Sequence, residues 1–177
     1  DGIYLAYPND LYKKRKMSTF PILSRRCIEI IKDPYPKDYE GSLIDTHLYD
    51  IFQRVKHNGY DRLYYLENVI FEHRHYRARK SNKDSTYLAK PRYNGDATFL
   101  SLIFERSRCA ERLISTIAGE DLVLSKTKGG TYPKRLLPRI LFIFRHVALD
   151  ESLPFSWRIY HAVNLVGRSV ITALGQH

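Results

Sequence analysis

Cysteine is nearly missing from this chain. Cys27 and Cys109 are the only two, far apart and without metal-site spacing, which excludes a disulfide framework and a zinc ribbon and predicts a reducing compartment. Long apolar runs are missing too. The best stretch, residues 136–147, is interrupted by Pro138, Arg139, Arg145 and His146, so it is too short and too charged to cross a bilayer. There is no secretory signal pattern and no repeat at any obvious period. Acidic side chains are scarce against basic ones, 19 Asp and Glu against 29 Lys and Arg, for a formal net charge of +10. Such a surface suits a phosphate-bearing substrate, nucleic acid or an anionic membrane face. Together these limits predict a cytoplasmic chain, soluble or peripheral on the inner face of a membrane. What is present in quantity is apolar and aromatic material, 44% and 13% of 177 residues, enough to bury a core for one domain plus an appendage. The chain opens at Asp1, without methionine, in what already reads as the approach to a strand, and it is read as a fragment.

Residues 2–7 alternate and are aromatic and β-branched, which predicts a short strand closed by the turn signal Pro8-Asn9-Asp10. The basic run Lys13-Lys14-Arg15-Lys16 reads as a solvated loop, with a phosphate-contacting loop as the alternative. Residues 19–23 predict a second strand, and Ser24 is suited to cap a helix carrying Cys27, Ile28, Ile30 and Ile31, which Pro34 and Pro36 stop. Over residues 44–59, Ile44, Leu48, Ile51, Phe52 and Val55 fall on one face at helical spacing before Gly59, which predicts a helix with Asp45 at its start. Residues 63–66 and 69–76 read as two strands parted by a turn at Glu67-Asn68, and a polar, basic loop follows at 77–84. Asp96 is expected to cap one long helix over 97–118 that Gly119 ends. Residues 126–133, with Gly129, Gly130 and Pro133, form the best linker candidate, and two apolar helices are expected at 136–149 and 155–174.

Asp45 at a helix start, Glu72-His73-Arg74-His75 at a strand end and Asp84 in a basic loop lie where α/β proteins gather ligands. The i, i+2 spacing of His73 and His75 puts both imidazoles on one face of an extended strand, which permits joint ligation of a metal. Each has a plainer reading. Asp45 serves equally as a helix cap, His73 and His75 as surface strand residues, and Glu72 with Arg74 as a solvated ion pair of little worth.

The order of these pieces is informative. Asp1-Gly2, then Thr19-Phe20-Pro21-Ile22-Leu23-Ser24-Arg25, then Ile44-Asp45-Thr46-His47-Leu48-Tyr49-Asp50-Ile51, then Tyr65-Leu66-Glu67-Asn68-Val69-Ile70-Phe71-Glu72-His73-Arg74-His75, then Lys83-Asp84-Ser85-Thr86-Tyr87 resembles the second half of family 2-like GT-A glycosyltransferases. The resemblance spans residues 1–118. It implies the C-terminal portion of a GT-A domain, an α/β unit with a Rossmann-like mixed sheet, followed by a helical extension over 119–177. It also implies transfer of a sugar from a nucleotide-sugar donor to a hydroxyl of a glycan, a lipid-linked or another acceptor, with Mn²⁺ or Mg²⁺ as cofactor and no nucleic acid as partner. By the same resemblance Asp45 accepts or positions the proton of the acceptor hydroxyl. His73 approaches the metal and donor diphosphate with His75 as second choice, and Asp84 orders its loop. Lys80 and Lys83, in the loop after the histidines, are candidate diphosphate contacts, and a single base-like carboxylate implies inversion at the anomeric carbon. Two departures stand out: the acid pair often written Glu-Asp is here Ile44-Asp45, and the D-x-D motif that holds metal and nucleotide belongs upstream of Asp1. The fragment alone is therefore expected to be inactive.

Two other functions fit parts of the pattern. A metal-dependent hydrolase would use Asp45, His73 and His75 as ligands that activate water. A basic nucleic-acid-binding module would use the positive charge and some of the 14 tyrosines for stacking. The 119–177 tail pairs apolar positions (Leu136, Leu137, Ile140, Phe144; Phe155, Ile159, Val163, Val166) with Lys134, Arg135, Arg139, Arg145, Arg158 and Arg168. That mixture suits packing on the catalytic domain or peripheral membrane contact, and packing is favoured, because an apolar stripe at helical spacing is more often a buried face.

Overall fold

The structure, a computed structural model, describes residues 1–39, 42–73, 93, 95–121 and 132–175. It is a mixed α/β arrangement: a small three-stranded sheet with helices packed against it and a helical pair beside them. Strand β1 is Leu5–Asn9, β2 is Ile22–Leu23 and β3 is Leu63–Ile70, in the order β2-β1-β3. β1 runs antiparallel to β2 and parallel to β3. The first strand thus lies later than its alternation predicts. Pro8 and Asn9, expected to turn, extend the strand instead, because Pro8 meets Leu66 and Asn9 meets Ile70 in the ladder.

The turn expected at Glu67-Asn68 is an irregularity within one strand. Between Pro8 and Asn9 the register on β3 jumps from Leu66 to Ile70, so the intervening residues are accommodated as a bulge that bends the strand without reversing it. The Asn9 amide donates to the Glu67 carbonyl at 3.3 Å and fastens the bulge to β1. Beyond Ile70 the chain keeps following β1: Phe71 N–H bonds to Asn9 O and His73 N–H to Asp10 O, both at 3.1 Å.

Helix α1, Arg25–Ile31, begins as expected, with Ser24 Oγ accepting from Cys27 N–H at 3.2 Å. Helix α2, Ile44–His57, packs against the sheet through Leu48, Ile51, Phe52 and Val55, all fully buried beside Leu5 and Tyr7. The long helix expected at 97–118 is two helices, α3 (Asp96–Ser101) and α4 (Ile103–Ala118), separated at Leu102. Asp96 is the first helical residue rather than the cap, and its carboxylate binds Arg168 at 2.8 Å. Gly119 ends α4 in the left-handed conformation, φ 70°, where only glycine is free of a Cβ penalty.

The tail forms α5 (Leu136–Ile143), a π-helical turn (Phe144–Ala148) and α6 (Phe155–Ala173). Pro138 falls in the first turn of α5, where a missing N–H breaks no helical bond. The inner faces of α5 and α6 share a second core with α3: Ile143, Val147, Ala162 and Leu165 bury against Phe99, Leu100 and Ile103. Of the apolar positions expected to pack, Val166 lies against this core and Leu136 and Ile140 are half-buried. Leu137, Phe144, Phe155, Ile159 and Val163 all face outward. No helix among the described residues is long and apolar enough to cross a membrane.

A buried ionic cluster ties α6 to the sheet side. Asp50 on α2 accepts from Arg54 Nε at 3.2 Å, Arg106 Nε at 2.6 Å and Trp157 Nε1 at 3.2 Å. Arg54 also reaches Asp150 at 2.7 Å and the Ser152 hydroxyl.

Candidate functional site

Parallel strands deliver their C-terminal ends to one edge of a sheet, and in α/β proteins that edge is where ligands bind. Here β1 delivers Asp10 there, the path beyond β3 delivers His73, and the first turn of α2 delivers Asp45. Asp45 and His73 line one cleft of about 560 Å³, whose opposite wall is α6, with Tyr160, His161, Asn164 and Arg168.

Asp10 organises this edge. It is 2% exposed, and its Oδ1 accepts the backbone N–H groups of Tyr12, Lys13 and Lys14 at 3.0, 2.7 and 2.7 Å, while Oδ2 accepts from Thr19 Oγ1 at 2.8 Å. Burial alone would raise its pKa, but the bonds from Lys14, Thr19, Tyr12 and Lys13 outweigh it and hold the carboxyl below its ordinary value. The basic run thereby becomes a loop wrapped around an anion, with Leu11 and Lys14 forced to φ 59° and 51°. Non-glycine residues held there are strained, and such strain gathers at functional sites. His73 sits against Asp10, Nδ1 to Oδ2 3.7 Å, with its ring edge-on to Tyr12 and Phe20. Replacing Asp10 by Asn keeps one acceptor oxygen but removes the charge, and is expected to cost about 1–2 kcal/mol in urea unfolding at pH 7. Because the folded pKa is depressed, the aspartate's advantage is present above pH ~4 and lost as pH falls through the folded pKa.

Asp45 does not cap α2. Leu43 occupies the cap position in the left-handed conformation, φ 69°, with no side-chain cap bond. Asp45 points into the cleft instead, and among the described residues no hydrogen bond reaches its carboxylate. Burial, reinforced by the Asp10 charge, pushes its pKa up to about 7. The turn that carries it is pinned from outside: Gly95 N–H donates to Ser42 Oγ at 3.1 Å, and a Cβ on Gly95 would stand 2.2 Å from the Ser42 carbonyl. Only glycine fits that approach.

On the α6 wall His161 is 6% exposed, lies 4.2 Å from the Trp157 ring centroid and stacks on Phe99. Burial lowers its pKa to about 4, with Asp50 opposing and Arg106 reinforcing the shift, so the imidazole is neutral. Its Nε2 is buried without a hydrogen-bond partner among the described residues. Sequence reasoning missed both Asp10 and His161. The only available signal for Asp10 was an aspartate opening a turn with Thr19 within reach, and nothing local marks His161.

Of the other expected site residues, His75, Lys80, Lys83 and Asp84 lie outside the described residues, as do residues 126–131 of the linker. Among the described residues no group of three or more His, Cys, Asp or Glu side chains could hold a metal ion. His73 offers one imidazole, and the Asp10 oxygens are engaged by four donors, so these residues do not amount to a metal site and no step below passes through one. Of the tyrosines, Tyr7, Tyr39 and Tyr49 are buried, and Tyr7 packs edge-on to Tyr49. Comparison of the chain with protein-family models, with curated proteins and with solved structures finds no match.

Proposed function

We propose that this chain is the acceptor-side part of a GT-A-type glycosyltransferase domain, moving a sugar from a nucleotide-sugar donor to a hydroxyl with inversion. The observation that carries the reading is the state of Asp45: a carboxylate aimed into a cleft, unengaged by any described donor, with a pKa near 7. A general base works best when its pKa lies near the operating pH. In the proposed reaction the acceptor O–H gives its proton to Asp45 as the oxygen attacks the anomeric carbon. The bond from that carbon to the donor phosphate breaks, and its electron pair leaves with the nucleoside diphosphate. His73, steadied by Asp10, faces the same cleft and would interact with the departing diphosphate. The neutral His161 on the α6 wall offers its buried Nε2 to an acceptor hydroxyl.

The test is sugar transfer by the whole protein, with Mn²⁺ or Mg²⁺, from a panel of nucleotide-sugars, together with protection from proteolysis by nucleoside diphosphates. Saturable protection that His73→Ala weakens severalfold supports the reading. A whole protein that neither binds any nucleoside diphosphate nor hydrolyses any nucleotide-sugar overturns it.

A further inference from the structure

The outer side of the tail is unusual for a surface. On α5 and the π-helical turn that continues it, Leu137, Leu141 and Phe144 follow at helical spacing and all face out, with Leu137 68% exposed. On α6, Phe155, Ile159 and Val163 do the same, with Phe155 69% and Val163 66% exposed. The two helices pack on one another, so these stripes belong to a single helical pair. Contiguous exposed apolar groups of this kind mark a surface that meets something else.

Charge says what that is. Lys134 and Arg135, just before α5, and Arg145, in the π-helical turn, are exposed, and the Arg158 guanidinium lies over the outward Phe155 ring, 5.6 Å from its centroid. The acidic side chains in residues 132–175 are Asp150 and Glu151, and Asp150 is consumed by Arg54 at 2.7 Å. Apolar side chains ringed by cations are what the boundary of an anionic bilayer accepts: the apolar groups enter the acyl edge while the cations meet lipid phosphates. A second copy of this chain fits poorly, since a two-fold interface would set the same basic rim against itself.

We infer that the outer face of α5 and α6 docks on an anionic lipid surface. Tyr160 and Val163, both exposed on this face, also line the cleft that holds Asp45. The docked protein would therefore open its cleft along the bilayer, and, resting on the transferase reading above, its acceptor would be a hydroxyl carried by a lipid.

Co-sedimentation of the 177-residue chain with vesicles tests the docking without any transfer assay, so its failure would leave the transferase reading standing and the reverse also holds. Phosphatidylglycerol vesicles are expected to bind the chain at least about tenfold more tightly than phosphatidylcholine vesicles at low salt, and less so as salt screens the charges. The exposed double variant Leu141→Ser/Phe155→Ser and the charge variant Arg135→Glu/Arg145→Glu should each lower binding about tenfold with circular dichroism unchanged. The second keeps the test decisive if the first folds poorly. No sedimentation with phosphatidylglycerol vesicles at low salt overturns the inference. So does binding that the charge variant leaves unchanged, or a dimer in light scattering that Leu141→Ser/Phe155→Ser dissolves.

Discussion

Asp50→Ala is expected to destabilise the protein by about 3–5 kcal/mol, the cost of removing one partner from a buried ion cluster. Asp50, Arg54 and Arg106 are each no more than 2% exposed. Removing the carboxylate leaves two guanidinium groups in the interior with too few acceptors: Asp150 and the Ser152 hydroxyl for Arg54, and the Phe99 carbonyl for Arg106. Burial opposes ionisation of Asp50, but Arg54 and Arg106 outweigh it and hold the carboxyl far below its ordinary range. A depressed pKa contributes stability above the unfolded value of about 4, and that contribution fades as pH falls through the folded pKa. Chemical unfolding at pH 7 should show the full loss in Asp50→Ala, with the gap between variant and parent narrowing in strong acid. A loss below about 1 kcal/mol at pH 7 would mean that water, not Asp50, satisfies the two arginines.

Asp45→Asn should move activity and stability in opposite directions. On the proposed transferase reading, turnover of the whole protein is expected to fall 10²–10⁴-fold, roughly what a positioned general base contributes, while donor binding stays near its original value. The parent's rate should rise with pH through about 7, the pKa set by burial and by Asp10, and the variant's profile should lose that limb. Stability runs the other way. A carboxyl whose folded pKa exceeds its unfolded one destabilises the fold progressively from pH ~4 to ~7 and fully above. Asn carries no such charge, so the variant should be about 1–2 kcal/mol more stable than the parent at pH 8, after allowance for the partial exposure of the group, and equal to it at pH 4. If Asp45 acted as a helix-start charge alone, the variant would lose stability at pH 8 and keep its turnover.

Helix α2 was legible because its apolar spacing and the Gly59 stop depend only on local chemistry, and so was α1, where Ser24 makes the expected cap. The break at Leu102 was not. Its compensation comes from a later turn, where Arg106 Nη1 takes the Phe99 carbonyl at 2.5 Å, and no propensity in residues 97–103 announces it. The buried cluster on α2 was not legible for a related reason. Asp50 and Arg54, four apart, have the spacing of a solvated pair, but the tail covers them, and a pattern read along one helix cannot see a second layer. The site was half legible. Asp45 and His73 stand out by residue type and position, whereas Asp10 looks like an ordinary turn residue until its carboxylate is found facing inward.

The chain carries a single tryptophan, and it stands at the seam between the two cores. Trp157 donates its indole N–H to Asp50 at 3.2 Å and packs against Tyr49 on α2, ring centroids 5.2 Å apart. Its fluorescence therefore has one source and one structural meaning. Emission from a seated α6 is that of a half-buried indole bonded to a carboxylate among aromatic rings, and lifting the helix would expose the ring further to water and shift the spectrum red. The protein holds a built-in optical gauge of whether the far wall of its cleft is in place.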